Sequence, residues 1–262
     1  MTSHDPMLHR RLGLTDSVLI GLGSMIGAGI FAALAPAADA AGSWLLLALA
    51  IAALLAYCNA TSSARLAALY PVSGGTYVYG RERLGPFWGY LAGWAFVAGK
   101  TASCAAMALT VGHYAWPEQA RAVAVASVLA ITAINYTGVQ KSALATRIIV
   151  AIVLAVLAMV AVIGLSGTHT EPMALPDRIG PRDVLEAAGL LFFAFAGYAR
   201  IATLGEEVRE PRRTIPRAIM LALSIALVVY AVVAAAALAV LGSAGLAAAT
   251  DPLARVVSAA GA

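Results

Sequence analysis

Four glycines, Gly21, Gly23, Gly27 and Gly29, stand within the apolar stretch GLGSMIGAGIF. Glycine in a helix interior costs about 1 kcal/mol relative to alanine, so a chain that otherwise spells helix weakens itself here. A dinucleotide-binding loop would need a strand before the glycines and a helix after them, and both flanks here are apolar helix. A GxxxG face from Gly23 to Gly27 would let another membrane helix approach closely. A helix broken at its middle would instead expose free N–H groups at the start of its second half, and these can hold a carboxylate. Such a design expects a second interruption in the equivalent place of a second half. The stretch LLFFAFAGYARIATLGEEVREPRRTIPRAI supplies a candidate, with Gly197 between two apolar halves. Unwound carbonyls there could accept hydrogen bonds from an ammonium group. Amides at one break and carbonyls at the other suit a small zwitterion.

Spanning helices must position these groups. The chain of 262 residues is 61% hydrophobic and 11% charged, with a mean hydropathy of +0.87. A soluble domain carries about 25% charged residues, so this chain lacks the polar groups to cover a water-facing surface. Seven apolar segments lie near 17–35, 43–62, 87–113, 120–136, 148–166, 184–205 and 216–241, and spanning helices need roughly 20 apolar residues each. Strand-like alternation is absent, which favours helices over a barrel. The apolar run from Val18 to Ala35 exceeds the h-region of a signal peptide.

With the N-terminus inside, the inner segments hold Arg10, Arg11, Arg65, Arg81, Arg83, Lys141, Arg147, Arg209, Arg212, Arg213 and Arg217. The outer ones hold Arg121, Arg178, Arg182 and Arg255. That bias places the N-terminus in the cytoplasm and the C-terminus outside. It also accounts for the net charge of +4 without a nucleic-acid partner. Trp44, Trp88 and Trp116 fall near span ends, where aromatic belts sit. Cys58, Cys104 and the scattered histidines His4, His9, His113 and His169 form no metal-ligand spacing.

Three stretches, GSMIGAGIF, YPVSGGTYVYGRERLGPFWGY and FFAFAGYARIATLGEEVREPRRTIPRAI, resemble the amino acid permeases of the amino acid–polyamine–organocation superfamily, and the likeness runs from residue 12 to about 260. The resemblance implies an all-α polytopic membrane protein with a partial LeuT-type inverted-repeat fold. It would have about seven transmembrane helices, with helices 1 and 6 discontinuous and substrate held between them. One membrane domain, 1–262, then divides into a first five-helix repeat (12–166), the first two helices of a second (184–241), and an extracytoplasmic tail (242–262) leading to an eighth helix. The carboxylate would meet backbone amides at Gly27, Ala28 and Gly29, and the ammonium would meet carbonyls around Met25, Phe193 and Ala196. Phe193 matches an aromatic that covers the substrate in family members. The implied lining set is completed by Ile26, Phe195, Gly197 and Ala199. The expected function is secondary active transport of a small zwitterionic L-amino acid across the plasma membrane, with no cofactor and no enzymatic chemistry.

The chain departs from that family at several points. It ends where relatives enter helix 8, so the expectation is either a non-transporting fragment or an assembly completed by a homo-oligomer or a separate C-terminal half. Val153 stands where some relatives place a lysine that substitutes for sodium. Lys100 lies near the middle of the third span, where a charge costs about 2.5 kcal/mol or more, and Cys104 shares its face one turn on. In relatives this helix lines the substrate site, so Lys100 is expected there and as the proton-linked cation. Relatives that carry cationic substrates often have an acid where Ala199 stands, and Arg200 is expected to snorkel or reach Glu206 and Glu207. A retinal protein or receptor would need the opposite orientation, and HExxH, GxSxG and P-loop motifs are absent.

Overall fold

The computed structural model describes residues 12–136, 139–166 and 179–259. Arg10, Arg11, Arg178, His4, His9 and His169 lie outside the described residues, as do the side chains of Ala28 and Lys141. Among the described residues seven helical stretches are long and apolar enough to cross a membrane, the number expected from the apolar segments.

The first is interrupted: α1 (Leu14–Met25), α2 (Ala28–Ala32) and α3 (Leu34–Ala41) follow one another, and a tight turn at Gly42–Trp44 leads into α4 (Leu45–Leu69). A short helix, α5 (Thr76–Leu84), precedes α6 (Pro86–Ala115), α7 (Ala120–Tyr136) and α8 (Val139–Ser166). The second half holds α9 (Pro181–Phe195), α10 (Ala199–Ala202), α11 (Pro211–Ala247) and α12 (Pro252–Ala259).

Where boundaries differ from expectation, the causes are local. Helix α11 starts at Pro211 rather than near 216, because proline fits the first helical position, whose N–H is unsatisfied anyway. Pro216, five residues in, then forfeits one bond to the Arg212 carbonyl. The expected tail from 242 is helical in part. Gly242 kinks α11 at φ 65°, and α12 folds back so that Val256 is fully buried, beside Gly164 of α8.

The core is built on alanine. Ala48, Ala52, Ala56, Ala60 and Ala64 of α4 recur every fourth residue and are buried, so they form one stripe. Ala218, Ala222, Ala226 and Ala234 do the same on α11, with Tyr230 taking the position between the last two. Small side chains let helix axes approach closely in a membrane, and α4 packs against both α9 and α11 along these seams. Helix α6 packs chiefly on α5 and α7, and α7 chiefly on α6. Trp94, Val97, Leu129 and Ile131 on their outer faces are exposed, as lipid-facing positions are. Trp44, Trp88 and Trp116 stand at helix ends and are exposed.

Helix α5 locks the segment 72–85 onto the bundle. Tyr79 is buried and donates to the Ala202 carbonyl at 3.4 Å. That burial pushes its phenol up to about 12. A raised folded-state value gives stability that is present below the unfolded value near 10 and is lost as pH rises through about 12. Thermal stability in detergent is therefore expected to decline between about pH 10 and 12. Tyr79→Phe should flatten that decline, as scanning fluorimetry would read.

Candidate functional site

Helix α1 stops at Met25. Ile26 takes φ −80° and ψ 85°, and the Gly27 N–H turns back to the Met25 carbonyl at 3.0 Å, a three-residue turn. Gly27 takes φ −158° and ψ −134°, and α2 begins beyond it with the Ile30 N–H donating to the Gly27 carbonyl at 3.2 Å. Helix starts leave amides without intrahelical partners. Here Gly29 is buried, and among the described residues its N–H meets no backbone acceptor.

The glycines do not form a single GxxxG face. A Cβ at Gly21 would press on Ile201 and Ala222, and one at Gly23 on Val150 and Thr146. A Cβ on Gly27 would lie 3.6 Å from the Met107 Sδ, and one on Gly29 would overlap the backbone of Ala194. Each faces a different neighbour. Across the contact, a Cβ on Gly197 would overlap the Ser24 carbonyl and the Met25 amide. The two interrupted helices thus interlock, each presenting a glycine to the other's backbone.

The interruption in the second helix differs from the unwound segment expected. Residues Ala196–Tyr198 tighten into a 3-10 turn, with Ala196 at φ −60°, ψ −11° and Tyr198 at φ −58°, ψ −26°. The Phe193 carbonyl accepts the Ala196 N–H, and the Ala196 carbonyl accepts the Ala199 N–H. Gly197 serves close approach here, so helix-like dihedrals persist.

A residue absent from the sequence-derived set closes the site from below. Tyr230 is buried, and its hydroxyl lies 2.6 Å from the Met25 carbonyl and 3.0 Å from the Ala194 carbonyl. One O–H is shared between the end of α1 and the end of α9. The Met25 carbonyl, accepting from both Gly27 and Tyr230, has its two lone pairs engaged. The signal was present in the sequence: a tyrosine interrupts the four-residue alanine stripe of α11, where a packing helix would have used another small side chain.

The other expected residues fall around this centre unequally. Met25 and Ile26 are buried at the break. Phe193 is 42% exposed while Phe195 is fully buried, its ring 5.2 Å from that of Tyr230. Two residues apart on a helix they point to opposite sides, so Phe193 faces the open flank and Phe195 the core. Ala199 is half-buried. Lys100 is half-buried and Cys104 exposed, on the face of α6 that carries Met107. The Lys100 ammonium lies 5.9 Å from the Phe96 ring centroid, turned one helical turn back toward Pro86 and away from Met107. The Arg200 guanidinium donates to the Thr203 hydroxyl at 3.2 Å, rather than pairing with Glu206 or Glu207. Val153 lines a cavity of about 160 Å³ between α1 and α8 with Gly23, Ile26 and Val150. Among the described residues no cluster of His, Cys, Asp or Glu could hold a metal.

Known proteins are similar to this sequence. The model of the family described as "Amino acid permease" matches residues 12–262. The chain is 69% identical over 256 residues to an uncharacterized transporter of Mycobacterium tuberculosis, covering 97% of this chain and 58% of that protein. It is 28% identical over 288 residues to the branched-chain amino acid permease BcaP of Bacillus subtilis, covering 99% of this chain and 61% of the relative. It is likewise 28% identical over 255 residues to the methylthioribose transporter of Bacillus subtilis, covering 87% and 54%. The chain therefore spans somewhat over half the length of these relatives. A bundle of apolar spanning helices with an interrupted first helix, matched by that family along nearly its whole length, is a multi-pass membrane protein, and the chain belongs to the amino acid permease family.

Proposed function

We propose that the chain carries the substrate site of a secondary active transporter for a small zwitterionic L-amino acid, held at the break between α1 and α2. The observation that supports this most is the buried Gly29 N–H, left without a backbone acceptor where α2 starts. A carboxylate there would gain the amide and the favourable end of the helix. The ammonium would use the free lone pairs of the Phe193 and Ala196 carbonyls, since Met25 is already engaged, and Phe193 would cover the bound molecule. The name of BcaP fits an amino acid substrate; that of the methylthioribose transporter shows that such relatives also carry other solutes. Radiolabelled L-amino acid uptake into proteoliposomes is the direct test, for this chain and for a version extended through a tenth helix. Saturable, stereospecific uptake supports the proposal, and its absence from the extended version removes it.

A second reading follows from the open flank. Phe193, Cys104 and Met107 are exposed beside the break, and polar backbone facing lipid costs several kcal/mol per unsatisfied group. The 262-residue chain alone would then insert without transporting, and co-expression with a polypeptide carrying the later helices would restore binding.

We place the N-terminus in the cytoplasm of a plasma-membrane protein on the arginine bias. Reporters fused after Trp116 and after Ala259 should both read outside, and a cytoplasmic signal at either reverses the topology. Lys100 is proposed as the proton-linked cation, being an intramembrane charge with no acidic partner among the described residues. Lys100→Met should abolish the pH dependence of uptake while exchange persists. Retained pH dependence would make the lysine an anchor that leans toward the interface over Phe96.

A further inference from the structure

The contacts of α1 with its neighbours are unequal. Ahead of α1, Leu12 pairs with the chain that follows α10: its N–H donates to Glu207 at 3.1 Å, and its carbonyl accepts the Arg209 N–H at 2.9 Å, a short parallel bridge to Val208. Higher up, Gly21 and Gly197 bring α1 against Ile201 and against the next interrupted segment without spare room. On its other side α1 meets α8, where the side chains of Val150 and Thr146 lie against Gly23 beside a cavity of about 160 Å³ lined by Gly23, Ile26, Thr146 and Val150. That seam is fastened near its end by an ion pair, Asp16 to Arg147 at 2.5 Å, with side chains 25% and 53% exposed. Water therefore reaches the pair, and exposed pairs hold weakly. Backbone-level contact on one side and a void with a wet ion pair on the other mark where the bundle parts.

We infer that the Asp16–Arg147 pair is a releasable cytoplasmic lock, and that the Leu12–Val208 strap makes α1 and α10 move as one piece when the lock opens. The inference rests on the transporter reading and on the cytoplasmic placement of the N-terminus, but its test requires no substrate. In a background with Cys58→Ser and Cys104→Ser, a reporter thiol is placed in the cavity by Val150→Cys. Val150 is 5% exposed, so labelling by a membrane-impermeant maleimide in inverted membrane vesicles reports opening of the seam. Asp16→Asn should raise the labelling rate about two- to fivefold, the effect of one exposed ion pair. The exchanged pair Asp16→Arg with Arg147→Asp should return it to the starting rate. A Leu12→Cys/Val208→Cys disulfide should leave the rise intact, because that joint does not open. Unchanged labelling in Asp16→Asn, or no recovery in the exchanged pair, overturns the lock. Loss of the rise in the cross-linked protein overturns the one-piece movement. Labelling that follows this pattern while the version extended through a tenth helix binds no amino acid would sink the substrate proposal and leave the lock standing.

Discussion

Tyr230→Phe is expected to lower substrate affinity about five- to hundredfold while leaving membrane insertion unchanged. The substitution keeps the ring against Phe195 and removes only the O–H that joins the Met25 and Ala194 carbonyls. Leaving a buried polar group without its partner costs about 1–3 kcal/mol. That cost falls on the arrangement in which the ends of α1 and α9 are held together. Equilibrium binding of a labelled amino acid to the full-length transporter would measure it. Equal affinity in the two proteins would reduce Tyr230 to a core aromatic. Because the aromatic area is conserved, a loss would read the hydroxyl alone.

Gly197→Val should have the larger effect on stability. A Cβ there overlaps the Ser24 carbonyl and the Met25 amide, which are backbone and cannot rotate aside. Overpacking of this kind costs about 3 kcal/mol at its upper end, a loss of roughly 6–12 °C in a chain of this size. Binding should be lost with it, since the two breaks can no longer approach. Gly27→Ala is the control: its Cβ would sit at ordinary contact distance from Met107, so the melting temperature should stay within about 2 °C. Comparable losses in both variants would refute the account of interlocked backbones. Gly29→Val is a poor probe of amide donation, because its side chain collides with Ala194 before any ligand arrives.

The spans were legible because a bilayer imposes length and apolarity on every helix, and no tertiary contact overrides that. The break after Met25 was legible for a similar reason: four glycines in nine residues have few uses inside an apolar helix. Gly197 misled, since one glycine serves equally to unwind a backbone or to admit a neighbour, and only the position of Ser24 decides between them. Tyr230 was passed over because a lone tyrosine in a long apolar run looks like any membrane aromatic. The direction of Lys100 could not be read from spacing, which places a Cα on a face but does not choose among the rotamers of a long side chain. Arg200 likewise found a nearer hydroxyl than the acids its reach allowed.

The alanine seam of α4 carries a consequence for how the protein is made. Its packing partners, α9 and α11, are encoded beyond Pro181, about 110 residues after α4 ends at Leu69. Translation at about 5–20 residues per second takes roughly 6–20 s to reach them. During that interval a helix whose most intimate surface is a row of methyl groups waits in the bilayer without its mates. Alanine suits such a pause: it has no rotamers to freeze when docking finally occurs, and a methyl face offers lipid nothing to misassemble around. The late arrival of α9 then sets the order of assembly, with α6 and α7 already made before the two interrupted segments can meet.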